Sequence, residues 1–384
     1  MVDHVPKVDP IPQCRDDEYS EVAWGLEDLD KKFTAFNIPR PKVTEHAVKF
    51  EMLFCGICHS DCHTGKNHWF NANFPFVPGH ELLGRVVEVG EKVTKFKVGD
   101  TVGVGCFIDS CKDCPSCNVG MEQYCHNGMT GTYNADKKHG RVGGNQETKT
   151  FGGYSGSNCV HEDFVIKIPD GMDLEKTAPI LCAGITMYSP LNHWKCLDGG
   201  KTVGVIGIGG LGTMGVKLAK AMGNKVVAIS TSDKKEALAK SKGADAFVVS
   251  TKPESIQANA FSCDVILNTV AAKHDLNTYM PLLKKGGTLV QLGGVVEPHQ
   301  VSQFGLMFNR WSIGGSLIGG IAETQEVIDF CHKHNIYPDC EVILAKKIDW
   351  AWDQLCGSGS NVDGIRYVID IKKSLEDKEF LPAN

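Results

Sequence analysis

No apolar run in this 384-residue chain approaches the ~20 residues that span a bilayer, so a membrane helix is not expected. A concentrated basic stripe is also missing. With a formal net charge of -6, the chain is a poor partner for nucleic acid. There is no internal repeat and no low-complexity tract. The amino terminus lacks a charged segment followed by an apolar one, and most of the 16 cysteines fall outside any paired pattern, which argues against a secreted disulfide framework. A reducing, cytoplasmic setting is the expectation.

What the chain does have is 42% hydrophobic residues, enough for a sizeable core and about two domains at ~150 residues each. It also has four closely spaced thiols. Cys111, Cys114, Cys117 and Cys125 follow the spacing C-x2-C-x2-C-x7-C, which closes a tetrahedral zinc site. An iron-sulfur cluster is the competing reading; it fits less well because His126, and not an x3-C-P ending, follows the fourth cysteine. Cys58 and the pair His80-Glu81 lie upstream and Cys182 lies downstream. Ligands scattered in this way can leave or open a position for substrate. One structural and one working zinc are expected.

Residues 1 to 45 are polar and interrupted by Pro6, Pro10, Pro12, Pro39 and Pro41, and they read as an arm with an irregular lead-in. Short valine-rich strands are predicted at Val48–Phe54, Leu82–Val89 and Asp100–Gly105, forming an antiparallel, barrel-like unit. A glycine-rich loop at Gly143–Gly156 precedes a strand at Val160–Ile168. After Cys182 strands and helices alternate. Strands are expected at Lys201–Ile206, Lys225–Ser230, Ala246–Val249, Asp264–Leu267, Thr288–Leu292 and Ser312–Leu317, with a helix over Leu211–Met222. That rhythm implies right-handed crossovers and a doubly wound parallel sheet.

Between the first of these strands and its helix lies Gly207-Ile208-Gly209-Gly210-Leu211-Gly212. The pattern is weak alone, but in a strand-helix-strand unit it cradles a pyrophosphate on backbone amides and a helix amino terminus. An NAD site normally places a carboxylate about 20 residues further on. Here Ser230, Thr231, Ser232, Asp233, Lys234 and Lys235 occupy that stretch. Hydroxyls and ammonium groups suit a 2'-phosphate, so NADP(H) is expected over NAD(H).

Together with Gly56-Ile57-Cys58-His59-Ser60-Asp61, Gly79-His80-Glu81 and Leu181-Cys182-Ala183-Gly184-Ile185-Thr186, these motifs run in order from about residue 45 onward. The chain resembles the zinc-dependent medium-chain alcohol dehydrogenases, most closely the cinnamyl alcohol dehydrogenase-like branch that prefers NADPH. The resemblance implies an α/β protein with a GroES-like β-barrel catalytic domain over 1–184 and 326–384, and a Rossmann domain over 185–325. It implies a homodimer. It also implies that Cys58, His80 and Cys182 hold the catalytic zinc, with Glu81 as an exchangeable fourth ligand. By the same matching, Asp61 would fix the His80 tautomer. Ser60 would hold the substrate oxygen, and His63 would pass its proton toward solvent through the cofactor ribose. His59, Thr186 and Arg366 match positions near the cofactor.

The activity so implied is reversible hydride transfer between NADP(H) and a primary alcohol or aldehyde. Trp69, Phe107 and Leu317 are the candidate pocket residues, and their apolar character suits a mostly apolar substrate. Many members of the branch carry phenylalanine where this chain has Leu317. That departure leaves broad aliphatic and aromatic aldehydes open. Two other readings remain at this point: a non-catalytic NADPH-binding sensor, and a zinc-free quinone or enoyl reductase on the same scaffold.

Overall fold

Two sheets divide the molecule, which is described by a computed structural model over residues 5–357 and 363–382. At the centre of the first, seven-stranded sheet runs Ala47–Gly56. In it Val48, Phe50 and Met52 are buried while Lys49 and Glu51 face outward, the period-two alternation of a strand with one face on the core. This strand pairs antiparallel with Leu82–Val89, Ser157–His161 and Arg366–Asp370, and Thr101–Val104 continues the sheet beyond Leu82–Val89. Cys340–Ile343 lies parallel to Arg366–Asp370.

The second sheet is six-stranded and wholly parallel. Its spatial order is Ala246–Val249, Lys225–Ser230, Thr202–Ile206, Cys263–Asn268, Leu283–Gln291 and Ser312–Gly315. The order therefore reverses between Thr202–Ile206 and Cys263–Asn268, and a crevice opens outside the strand ends at such a switch point. The helix Gly210–Ala221 starts at that crevice and buries Met214 and Leu218. It lies tight on the helix Ala183–His193: a Cβ added at Gly215 would sit 2.0 Å from the Met187 methyl carbon. The helix Ile321–His334 runs across the 325/326 position expected for a domain boundary.

Three local expectations are corrected. The segment read as an arm forms an antiparallel pair, Glu18–Gly25 with Thr34–Pro41, that buries Trp24 and Ile38 completely or nearly so. Prolines are tolerated there because both strands of a two-stranded sheet are edges, with one side free of ladder bonds. The strand predicted at Val160–Ile168 is broken by a 3-10 turn at Glu162–Phe164. The Glu162 carboxylate holds that turn, accepting the backbone N–H of Thr94 and Lys95 at 2.9 and 3.1 Å. The last parallel strand stops at Gly315, which leaves Ser316, Leu317 and Ile318 as a loop. Among the described residues no helix is long and apolar enough to cross a membrane.

Candidate active site

Cys58, the adjacent pair His80-Glu81, and Cys182 come from three places in the chain, and their ligand atoms all lie within 4.8 Å of one another. All four residues are buried. Two thiolates bound to a tetrahedral zinc at ~2.3 Å stand about 3.8 Å apart, and the Cys58 and Cys182 sulfurs are separated by 3.9 Å. The His80 Nε2 atom is 3.2 Å from the Cys182 sulfur. Glu81 Oε2 is buried without a protein partner, while Oε1 accepts from the Arg366 guanidinium. A cation fits this donor set. Without one, burial pushes the Glu81 carboxyl up to about 7 against the pull of Arg366. The Cys58 thiol is held well below its ordinary value, first by a hydrogen bond from Cys182.

Asp61 organises the group from behind. It is fully buried on the short helix His59–Gly65, where Oδ1 accepts from His80 Nδ1 at 3.1 Å and Oδ2 accepts the Cys58 N–H at 2.9 Å and the Tyr154 hydroxyl at 3.2 Å. The His80 bond places the proton on Nδ1 and aims the Nε2 lone pair at the ligand cluster.

Cys111, Cys114, Cys117 and Cys125 form a second group within the same 4.8 Å limit, with the Cys111 and Cys117 sulfurs 3.9 Å apart. Backbone amides of Cys111, Cys114 and His126 point at the sulfurs of Cys125, Cys111 and Cys114 over 3.3 to 3.4 Å. Such donors favour thiolate; those of Asp113 and Cys114 bring the Cys111 thiol down to about 6, with burial opposing.

The glycine loop sits at the switch point. Gly207 has φ +88°, and a Cβ on Gly212 would fall 1.8 Å from the Gly207 carbonyl oxygen, so neither position admits a side chain. Nothing lies within 4 Å of a Cβ on Gly209, which leaves its backbone open to a pyrophosphate. Thr186, Gly209, Gly210, Leu211 and Arg366 line the same cavity of about 510 Å³ as Cys58, His80 and Cys182. Ser230 ends the neighbouring strand, and Lys235 Nζ reaches back to the Ile208 carbonyl at 2.8 Å. Ser230, Thr231 and Ser232 lie on this side of the sheet but not among the cavity-lining residues. Asp233 is paired with Lys252 at 3.7 Å.

Ser60, His63, Trp69 and Leu317 also line the cavity. Phe107 does not, which corrects its assignment: it is buried with its ring edge-on to Phe164, and its neighbour Cys106 faces the cavity instead. His63 stacks on Trp69 at 5.0 Å, and its Nε2 is buried without a protein partner. Its Nδ1 lies 3.1 Å from Nδ1 of the exposed His68, a residue the motifs did not single out. Burial, with His59 and His68 adding, lowers the His63 pKa to about 4. Asn71, Met129, Tyr133 and Ile318 also line the cavity, and no local pattern marks them.

Two family models match the chain: alcohol dehydrogenase GroES-like domain over residues 44–170 and zinc-binding dehydrogenase over residues 210–333. The class defined by fold and site is thus a zinc-binding dehydrogenase built on a GroES-like domain and a nucleotide-binding parallel sheet. NADP-dependent alcohol dehydrogenase C 1 of Mycolicibacterium smegmatis is 48% identical over 349 residues, covering 91% of this chain and 97% of that one. Aldehyde reductase YahK of Escherichia coli is 46% identical over 350 residues, with coverage of 91% and 97%. The solved cinnamyl alcohol dehydrogenase SbCAD4 of Sorghum bicolor superposes with a TM-score of 0.86 at 38% identity, over 93% of this chain and 99% of that one. The chain belongs to the zinc-dependent alcohol dehydrogenase family, in its NADP(H)-dependent, cinnamyl alcohol dehydrogenase-like branch. It is an oxidoreductase acting on alcohols and aldehydes with zinc and NADP(H) as cofactors.

Proposed function

We propose that this enzyme reduces aliphatic and aromatic aldehydes to primary alcohols, and runs the reverse oxidation, at the cavity described above. The observation that carries the proposal is that one cavity joins the Cys58, His80 and Cys182 cluster to the glycine loop and to an apolar wall of Trp69, Met129, Leu317 and Ile318. Cys58, His80, Glu81 and Cys182 would hold a zinc that would act as a Lewis acid on the carbonyl oxygen, and bound NADPH would supply the hydride. Gly207 to Gly212 receive the pyrophosphate, with Thr186 and Arg366 beside it. Ser230, Thr231, Ser232 and Lys235 receive the 2'-phosphate, and the Asp233 pairing with Lys252 supports this because it ties up the one carboxylate in that stretch.

Ser60 Oγ lies 3.7 Å from the Cys58 sulfur, within reach of an oxygen held beside it. In the reducing direction a proton enters at exposed His68, crosses the 3.1 Å contact to His63 Nδ1, and would pass from the buried Nε2 by way of the cofactor ribose to Ser60. Replacing His63 with Gln should lower turnover by roughly 10²-fold, and imidazole buffer should restore part of it. An unchanged rate and pH profile would remove His63 from the path. The lowered His63 pKa also sets a sign for stability. Protonation is disfavoured in the fold, so the neutral ring contributes stability above its ordinary pKa of 6.5 that is lost as pH falls toward about 4; the Gln variant lacks this dependence.

The proposal extends to a cytoplasmic homodimer. Ser312–Gly315 is a free sheet edge, and the adjacent helix Gln303–Asn309 exposes Phe304, Met307 and Phe308, a patch of the kind that pairing covers. Light scattering should give the mass of two chains; the mass of one would remove the dimer. None of the 16 cysteines is joined in a disulfide, and six of them belong to the two ligand groups.

A further inference from the structure

The four-cysteine lobe touches the opposite domain at the loop that forms one wall of the cavity. The Tyr124 hydroxyl accepts the Leu317 backbone N–H at 2.9 Å. Glu122 Oε2 accepts the Ile321 N–H at 3.2 Å, so a carboxylate from the lobe caps the first turn of the helix Ile321–His334, whose own cap position, Gly320, has no side chain. Gly320 is pressed so closely on the lobe that an added Cβ would lie 1.8 Å from the Gly120 carbonyl oxygen. Gly120, Glu122 and Tyr124 all fall between Cys117 and Cys125, two members of the lobe's ligand group.

Inside this clamp Ile318 has φ +37°, a backbone conformation that costs a β-branched residue free energy and persists only where neighbours enforce it. Ile318 is buried, and both it and Leu317 line the cavity. The two lobe contacts, at Leu317 N–H and Ile321 N–H, flank Ile318 on either side.

We infer that Tyr124 and Glu122 are positioning residues that determine substrate choice: through Leu317 N–H and Ile321 N–H they fix the place of Leu317 and Ile318 in the pocket wall. The lobe thereby shapes the pocket as well as stabilising the fold. The inference rests on the proposed aldehyde pocket. Loss of the Tyr124 hydroxyl frees one end of the loop while the ring remains, so the wall shifts by fractions of an ångström. An aromatic and a linear substrate sense that shift differently.

The test compares wild type with Tyr124→Phe, Glu122→Gln, Leu317→Ala and the Tyr124→Phe/Leu317→Ala double variant. Two readouts are used: kcat/KM for benzaldehyde and hexanal with NADPH, and calorimetric Kd for benzamide and hexanamide on NADPH-loaded protein. Tyr124→Phe should change both aromatic-to-linear ratios by about threefold or more, with zinc content and Tm unchanged, and Glu122→Gln should move them likewise. In the double variant Tyr124→Phe should have a smaller further effect than it has in the wild type, because the Leu317 side chain it positions is gone while the Leu317 N–H and Ile318 remain. Ratios that change by less than about threefold in both single variants, or effects that multiply in the double variant, overturn the clamp. A wild type that reduces neither aldehyde defeats the proposed reaction instead, and the amide Kd ratios still decide the clamp.

Discussion

Replacing Cys58 with serine should lower NADPH-dependent aldehyde reduction by roughly 10³-fold or more while leaving the fold and Tm close to wild type. A serine hydroxyl stays protonated near neutral pH and is a far weaker zinc ligand than a thiolate, so the site loses one of its two sulfur ligands. The reacting oxygen then loses a Lewis acid worth several kcal/mol of transition-state charge, and about 4 kcal/mol corresponds to three decades in rate. The backbone depends little on the lost thiol, because the Cys58 N–H is held by Asp61 and the Asp61 contacts to Gly79, His80 and Tyr154 remain. Metal analysis alongside stopped-flow reduction checks the expectation: zinc should fall from about two to about one per chain. A fully active Cys58→Ser protein would contradict the assignment.

Cys117→Ser should show the opposite balance. The lobe has little regular structure, a four-residue helix at Pro115–Asn118 and a 3-10 turn at Glu122–Tyr124, and it exposes Val119 and Met121 where a core would bury them. Its order therefore depends on the ligand group, and a structural zinc contributes folding free energy directly. A loss of about 3 kcal/mol should lower Tm by roughly 4 °C, with faster aggregation and a larger loss of zinc-dependent stability than of initial rate. The check is differential scanning fluorimetry with zinc quantified. Unchanged Tm with the zinc lost would show that the lobe folds without metal, and unchanged zinc would remove Cys117 from the ligand group.

The parts of this site that the sequence displays are those in which chemistry demands a fixed residue type. Cys58, His80, Glu81 and Cys182 are legible because a metal accepts few ligands, and Gly207 and Gly212 because their backbone leaves no room for a Cβ. The parallel strands are legible because buried strands read as apolar runs between turn residues. Phe107 was misplaced because an aromatic beside a cavity-lining residue looks the same in sequence whether it faces the cavity or the core. The strands at Glu18–Gly25 and Thr34–Pro41 were hidden because proline ordinarily argues against a strand, and the exception depends on a sheet of only two. The roles proposed for His68 and Tyr124 rest on single contacts with His63 and Leu317, and contacts of that kind exist only once the chain is folded.

The most direct test of the account is reduction of a simple aldehyde by NADPH and by NADH on protein whose zinc has been quantified, repeated after chelation and zinc return. The account predicts about two zincs per chain, at least about tenfold higher kcat/KM with NADPH, loss of turnover on chelation and its recovery with zinc. Full turnover by zinc-free protein, or equal use of the two cofactors, would contradict it.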